Sequence, residues 1–249
     1  MNPDTKSKIL SVGHWRVVIR PARQYYASDR FALRNLEDVL QRAQVKLRGW
    51  YYPHIDRESV VHTSQIKISG SCEFELMGKL ECWEFTRSGQ FGHLFAMEDD
   101  TIIDEKAAEK IRSGVMFDAE KAKGIKKFFN AIRAIYAFTE IYFFAARLAQ
   151  SKEFEDVNKF EVIIELRGVR DRMLYVGDPF LRDLWGAYIA KTENDVIRFS
   201  EVYDKEELIG RYDLLALNNI EETFRLFNWK EPNMTQAKID QQKLLERRL

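Results

Sequence analysis

The stretch that most restricts the fold is 65–76, where Ile66, Ile68, Cys72, Phe74 and Leu76 alternate with Lys67, Ser69, Ser71, Glu73 and Glu75. A period of two puts the two sets on opposite faces of a β-strand. Gly78 and then the Ser88-Gly89 pair turn the chain, so 65–76, 80–86 and 90–97 read as a three-stranded antiparallel meander. Gly70, inside the first strand, is expected to mark a bulge.

The segments before the meander read as strand, helix, strand. In 14–20, Trp15, Val17 and Ile19 alternate with Arg16, Val18 and Arg20 until Pro21 ends the strand. Ser28 or Asp29 can cap a helix carrying Phe31, Leu36, Leu40 and Ala43, and 45–52 then returns as β up to Pro53. Beyond the acidic run at 98–100, a short helix near 104–113 leads to a long one starting at Asp118 or Ala119. Its stripe is Ile125, Phe128, Ile132, Ile135, Tyr136, Tyr142 and Phe143, and its second half is apolar nearly all round.

Further along, 160–167 and 172–176 suggest a hairpin around Gly168, with Asp178 and Pro179 opening a helix behind it. A strand follows at 196–203, then a helix from Asp204, with Glu207 in capping-box position, to about Phe227. Pro232 opens a polar last helix with few apolar anchors, expected to be mobile or held by a partner. The fold class is therefore α+β: an antiparallel sheet packed with a long central helix and a C-terminal hairpin and helices. It is divided into a β-rich region, 1–100, and a helix-rich region, 101–249, either as separate units or as one continuous domain.

At 249 residues and 45% hydrophobic, the chain can bury its own core without staples. Lys plus Arg equals Asp plus Glu at 39 each, so no overall field draws it to nucleic acid or to an anionic membrane. Cys72 and Cys82 are the only cysteines and no apolar run follows a basic start, from which a cytoplasmic location without disulfides is expected. The apolar stretch 125–148 is broken by Lys126, Lys127, Arg133, Glu140 and Arg147, which points to a buried helix and no membrane partner.

Charge is distributed unevenly, however. Residues 1–57 hold eleven Lys/Arg against five Asp/Glu, and 46–54 interleaves cations with aromatic rings. Cations hold phosphates and rings stack on unpaired bases, so Arg16, Arg20, Arg23, Lys46, Arg48, Trp50, Tyr51 and Tyr52 form a candidate nucleic-acid surface. The competing reading packs Trp50 and Tyr52 inside and places Arg16, Arg20 and Arg48 in ordinary ion pairs. His54, His62, Cys72, Cys82 and His93 show no chelating spacing, so neither a metal nor a cofactor is expected, and Cys72 reads as a buried thiol.

Glu161 and Glu165 share a strand face, and Arg167 stands where a metal-dependent nuclease would want lysine; arginine stays charged and cannot serve as a base. No GxSxG, GxGxxG or GxxxxGK[ST] occurs.

Four segments, His14-Trp-Arg-Val-Val-Ile-Arg-Pro21, Leu47-Arg-Gly-Trp-Tyr-Tyr-Pro-His54, Trp83-Glu-Phe-Thr-Arg-Ser-Gly-Gln-Phe91 and Leu226-Phe-Asn-Trp229, resemble an uncharacterised bacterial group. Members of that group are described as putative DNA-binding or ATP-binding proteins associated with Schlafen-like modules in mobile-element and antiviral-defence settings. The matching segments carry no catalytic group, so the resemblance implies a sensor, adaptor or accessory module. The expectation is thus a non-catalytic recognition or adaptor protein contacting nucleic acid through its N-terminal part and a protein, or a second copy, through its C-terminal helices. The alternatives are a metal-dependent nuclease using Glu161 and Glu165, and a purely structural subunit.

Overall fold

Strand β1 (His14–Pro21) buries Trp15, Val17 and Ile19 on one side, as its alternation predicts, and has a hydrogen-bonded neighbour along each edge. The computed structural model describes residues 2–55, 60–177, 184 and 186–248. Ahead of β1, the polar start folds as helix α1 (Pro3–Leu10), whose first turn is capped by the Asn2 side chain accepting from the Asp4 amide. After β1, Phe31 is buried but lies outside helix α2 (Leu36–Ala43), which begins later than the cap residues Ser28 and Asp29 suggest. The return strand expected over 45–52 reduces to a single bridge between Val45 and Tyr52 around a tight loop.

The meander stands. Strands β2 (Val61–Ser64), β3 (Lys67–Phe74), β4 (Lys79–Thr86) and β5 (Phe91–Ala96) pair antiparallel in sequence order. Gly70 is not a bulge: β3 runs in unbroken register with β4, and Gly70 lies opposite Trp83, where a Cβ would come within 2.5 Å of the indole. Glycine is needed there for close approach rather than for a bend.

Short helices α3 (Asp99–Ile102), α4 (Glu105–Ser113, capped by Asp104) and α5 (Ala119–Ala122) follow. The helix expected to run on from residue 118 is interrupted: Gly124 takes φ +82°, and strand β6 (Lys127–Asn130) precedes helix α6 (Ala131–Ala149). Ile125 and Phe128 thus fall outside the helix, while Asn130 caps it by accepting from the Arg133 amide. Helix α6 is the apolar centre predicted, with fourteen of its nineteen residues buried.

Strand β7 (Lys159–Arg167) is followed by β8 (Arg172–Tyr175), but the two do not form the expected hairpin. Instead β8 pairs parallel with β6. The fully buried Arg172 explains the departure: its guanidinium binds Asp100 and donates to the carbonyls of Gly168 and Phe128, pinning β8 beside β6. The helix expected from Asp178 and Pro179 lies outside the described residues. Strand β9 (Val196–Asp204) then pairs antiparallel with β7, and helices α7 (Lys205–Gly210), α8 (Tyr212–Leu226) and α9 (Met234–Leu245) complete the chain.

The main sheet has seven strands in the order β2-β3-β4-β5-β1-β7-β9. Because β1 sits between β5 and β7, the sheet and its core run across the division expected at residue 100. One face is covered by α2, α6 and α8 around Trp15, Trp83, Phe91, Phe138 and Phe144. The polar tail also joins this layer: α9 buries Ala237 and Leu244 and packs on α6, where Gln241 donates to Thr139 Oγ1 and to the Asp213 carbonyl. On the opposite face, α1 lies against β3, β4 and β5 and leaves β1, β7 and β9 open. Among the described residues no helix is long and apolar enough to cross a membrane.

Candidate functional site

The pleat of β1 sends the residues of the candidate surface in opposite directions. Arg16 and Arg20 project from the open face, because Trp15, Val17 and Ile19 take the covered one. Arg23 lies just beyond the strand and is exposed. Lys46, Arg48, Trp50, Tyr51 and Tyr52 belong to the loop on the covered side, so the structure does not bring the eight residues onto one surface.

The loop residues are also largely engaged. Arg48 forms a two-pronged ion pair with the buried Glu140, at 2.9 and 2.6 Å. Burial works against the Arg48 charge, but the Glu140 carboxylate outweighs it and the guanidinium pKa is raised. Trp50 stacks on His54 with centroids 4.2 Å apart and donates its indole N–H to Glu81 at 2.8 Å. Tyr52 is buried, and only Lys46 and Tyr51, in cation–π contact, remain exposed there. The reading in which these residues pack and pair describes this loop.

On the open face, neighbouring strands add what β1 lacks. Register places Glu165 of β7 between Arg16 of β1 and Arg198 of β9. Arg167 reaches back two residues to bind Glu165 at 2.8 and 2.9 Å, while Arg16 and Arg198 approach it at 3.3 and 3.7 Å. Three guanidinium groups, each about half exposed, therefore share one shielded carboxylate. Burial would raise the Glu165 pKa, but the Arg167 hydrogen bonds and the charges of Arg16 and Arg167 win and hold it below the usual carboxylate range. Arg20 and Glu161 form a separate one-to-one pair at 2.7 Å.

Arg167 also lines an open groove of about 720 Å³ at the His14 end of the sheet, where Lys126 and Lys127 stand exposed. Neither lysine forms an ion pair among the described residues. The groove's acids Asp99 and Asp100 are already bound, to Arg133 and to Arg172, and Asp195 accepts from the Arg170 amide. The groove and the Glu165 cluster are thus one continuous basic zone joined by Arg167.

Sequence reasoning missed Arg167 and Arg198 as members of such a zone. Their strand alternation gives their faces, but only the order β1-β7-β9 sets them beside Arg16. Glu161 and Glu165 do share a face, as expected, yet both are occupied by guanidinium groups. Among the described residues no group of three or more His, Cys, Asp and Glu is placed to hold a metal ion. Cys82 is buried under α1, where burial pushes its thiol up to about 11, whereas Cys72 is only half-buried and points to the other face. Neither cysteine is in a disulfide.

Comparison with protein families, with curated proteins and with solved structures found no match to this chain.

Proposed function

We propose that the chain is a recognition or adaptor protein that contacts a nucleic-acid backbone through the open sheet face and the groove beside it. The observation that carries this reading is the convergence of Arg16, Arg167 and Arg198 on a single carboxylate, with Lys126 and Lys127 on the adjoining rim. One carboxylate cannot neutralise three guanidinium groups, so the zone holds an uncompensated positive charge on a protein whose formal charges balance overall. Arginine forks match phosphate oxygens. The side chains beside them on this face, Val18, Ile163, Ser200 and Val202, carry no ring, and the ring of His14 beside Arg167 is buried, so these strands offer no exposed ring there for base stacking. The contact is therefore to phosphates, indifferent to sequence, and suits a duplex better than unpaired bases.

The nuclease alternative is not favoured, because both of its carboxylates are committed to arginine. The protein-partner half of the reading finds its best surface at the β3–β4 end, where Phe74, Leu76 and Met77 are exposed, rather than at α9, which is docked.

Fluorescence anisotropy with a 20-base-pair duplex, titrated across salt, tests the proposal. Five cations set an upper limit of roughly −4.5 on the slope of log K against log salt. Binding should be lost in the Arg16→Ser, Arg167→Ser, Arg198→Ser triple variant and kept in Arg48→Lys. Absence of binding at low salt, or undiminished binding by the triple variant, overturns it.

A further inference from the structure

The two edges of the main sheet are finished differently. At one edge, β2 is four residues long and its register with β3 is irregular, which leaves little for another strand to pair with. At the other, β9 runs for nine residues in unbroken register with β7 and contains no proline. Most strands stop at about five or six.

Hydrogen bonds at its two ends fix which backbone groups β9 has to spare. The Lys205 amide donates to the Asn158 carbonyl, and the Gly168 amide to the Asp195 carbonyl. Both bonds continue the β7–β9 register, so Ile197, Phe199, Glu201 and Tyr203 turn their N–H and C=O groups toward β7. Val196, Arg198, Ser200, Val202 and Asp204 therefore turn theirs to the edge, where no backbone of another described element bonds to them. Arg198, Ser200, Val202 and Asp204 are exposed on the open face and Glu201 on the other, so the edge is accessible from both sides.

The charges along β9 complement those of its own copy. Arg198 lies in its first half, Glu201 and Asp204 in its second. A second β9 running antiparallel sets the positive half of each strand beside the negative half of the other.

We infer that β9 is an interface with a second copy of this chain, the two strands pairing antiparallel about a two-fold axis between their Ser200 residues. This register engages all nine residues and supplies up to about ten backbone hydrogen bonds. Val202, 53% exposed, then lies opposite Arg198 of the second copy. Each Arg198 lies diagonal to Asp204 of the other copy, an exposed carboxylate that Lys159 already holds at 3.1 Å, and within reach of a long side chain. The two Glu201 side chains meet only on the diagonal, in solvent. The axis is perpendicular to the sheet, so both open faces look the same way and the two Glu165 clusters share one surface.

Sedimentation velocity without nucleic acid, from about 1 to about 200 µM chain, tests the inference independently of phosphate binding. A concentration-dependent dimer is expected, with the amides of Arg198, Ser200 and Val202 exchanging more slowly as it forms. Ser200→Pro removes the outward N–H at the axis, and Val202→Lys places a charge on the edge; each should weaken the dimer at least about tenfold. A monomer at every concentration, a dimer undiminished in the folded variants, or amides at 198, 200 and 202 left unprotected in the dimer overturns the inference. Val202 is exposed, so Val202→Lys decides the matter should Ser200→Pro not fold.

Discussion

On the open face of the sheet, Arg16, Arg167 and Arg198 crowd around Glu165, whereas beneath the covered face charges meet in closer balance: Arg48 with Glu140, Lys79 with Glu98 and Arg133 with Asp99. Solvation explains the contrast. A buried ion without its counter-ion is costly, so the covered side tolerates little imbalance. Half-exposed guanidinium groups are solvated, so an excess on the open face costs little and stays free for a ligand. An unpaired charge at an exposed surface is thus informative about binding, while a paired charge in the interior is informative about folding.

That contrast can be broken in four ways. Glu140→Ala should be the most damaging, because it strands the largely buried Arg48: a loss of about 3–5 kcal/mol in urea unfolding is expected, against ~1 kcal/mol or less for Glu165→Gln. Equal losses would mean that the two faces treat charge alike. Gly70→Ala drives a methyl into the Trp83 ring on the covered side and should cost roughly 1–3 kcal/mol, with near-ultraviolet circular dichroism reporting a displaced indole.

Glu165→Gln sharpens the comparison further. Removing the one shared carboxylate should raise duplex affinity several-fold at low salt, while Glu140→Gln leaves binding of the folded protein unchanged; anisotropy distinguishes them. The smallest effect is on pH dependence. The Glu165 pKa is lowered in the folded state, so its contribution is present above the unfolded value of about 4.3 and is lost as pH falls through the lower folded value. Burial raises the Asp99 pKa despite Tyr175, Arg133 and the Asn130 amide, so protonating it on acidification favours the folded state. Acid unfolding curves of Glu165→Gln should therefore be shallower, and those of Asp99→Asn steeper, than those of the unaltered protein.

Local pattern made the meander, the 196–203 strand and the apolar centre of α6 legible, because each follows from the backbone period of a single segment, although Ile66, Phe74 and Leu76 of the expected apolar face are exposed. Pairing was less legible. The helix pattern drawn through Ile125 and Phe128 hid β6, since the four residues Lys127–Asn130 are too few to show a period of their own when the glycine break at Gly124 is overlooked. The hairpin around Gly168 failed because the contact that decides it, Arg172 with Asp100, spans 72 residues. The candidate surface failed in the same manner: Arg16 and Arg48 are both basic and both N-terminal, but a strand face and a distant glutamate on α6 assign one to solvent and the other to the interior.

By itself, the order of residues determined which positions in each strand share a face and that a long apolar helix must be covered, because both follow from the geometry of a single segment. The neighbours of each strand were decided only in the assembled structure, where β1 lies between β5 and β7 and β9 lies against β7. Coulomb interactions act through space, so whether an arginine is neutralised or left available depends on what register brings beside it, and that is set by packing across the whole chain.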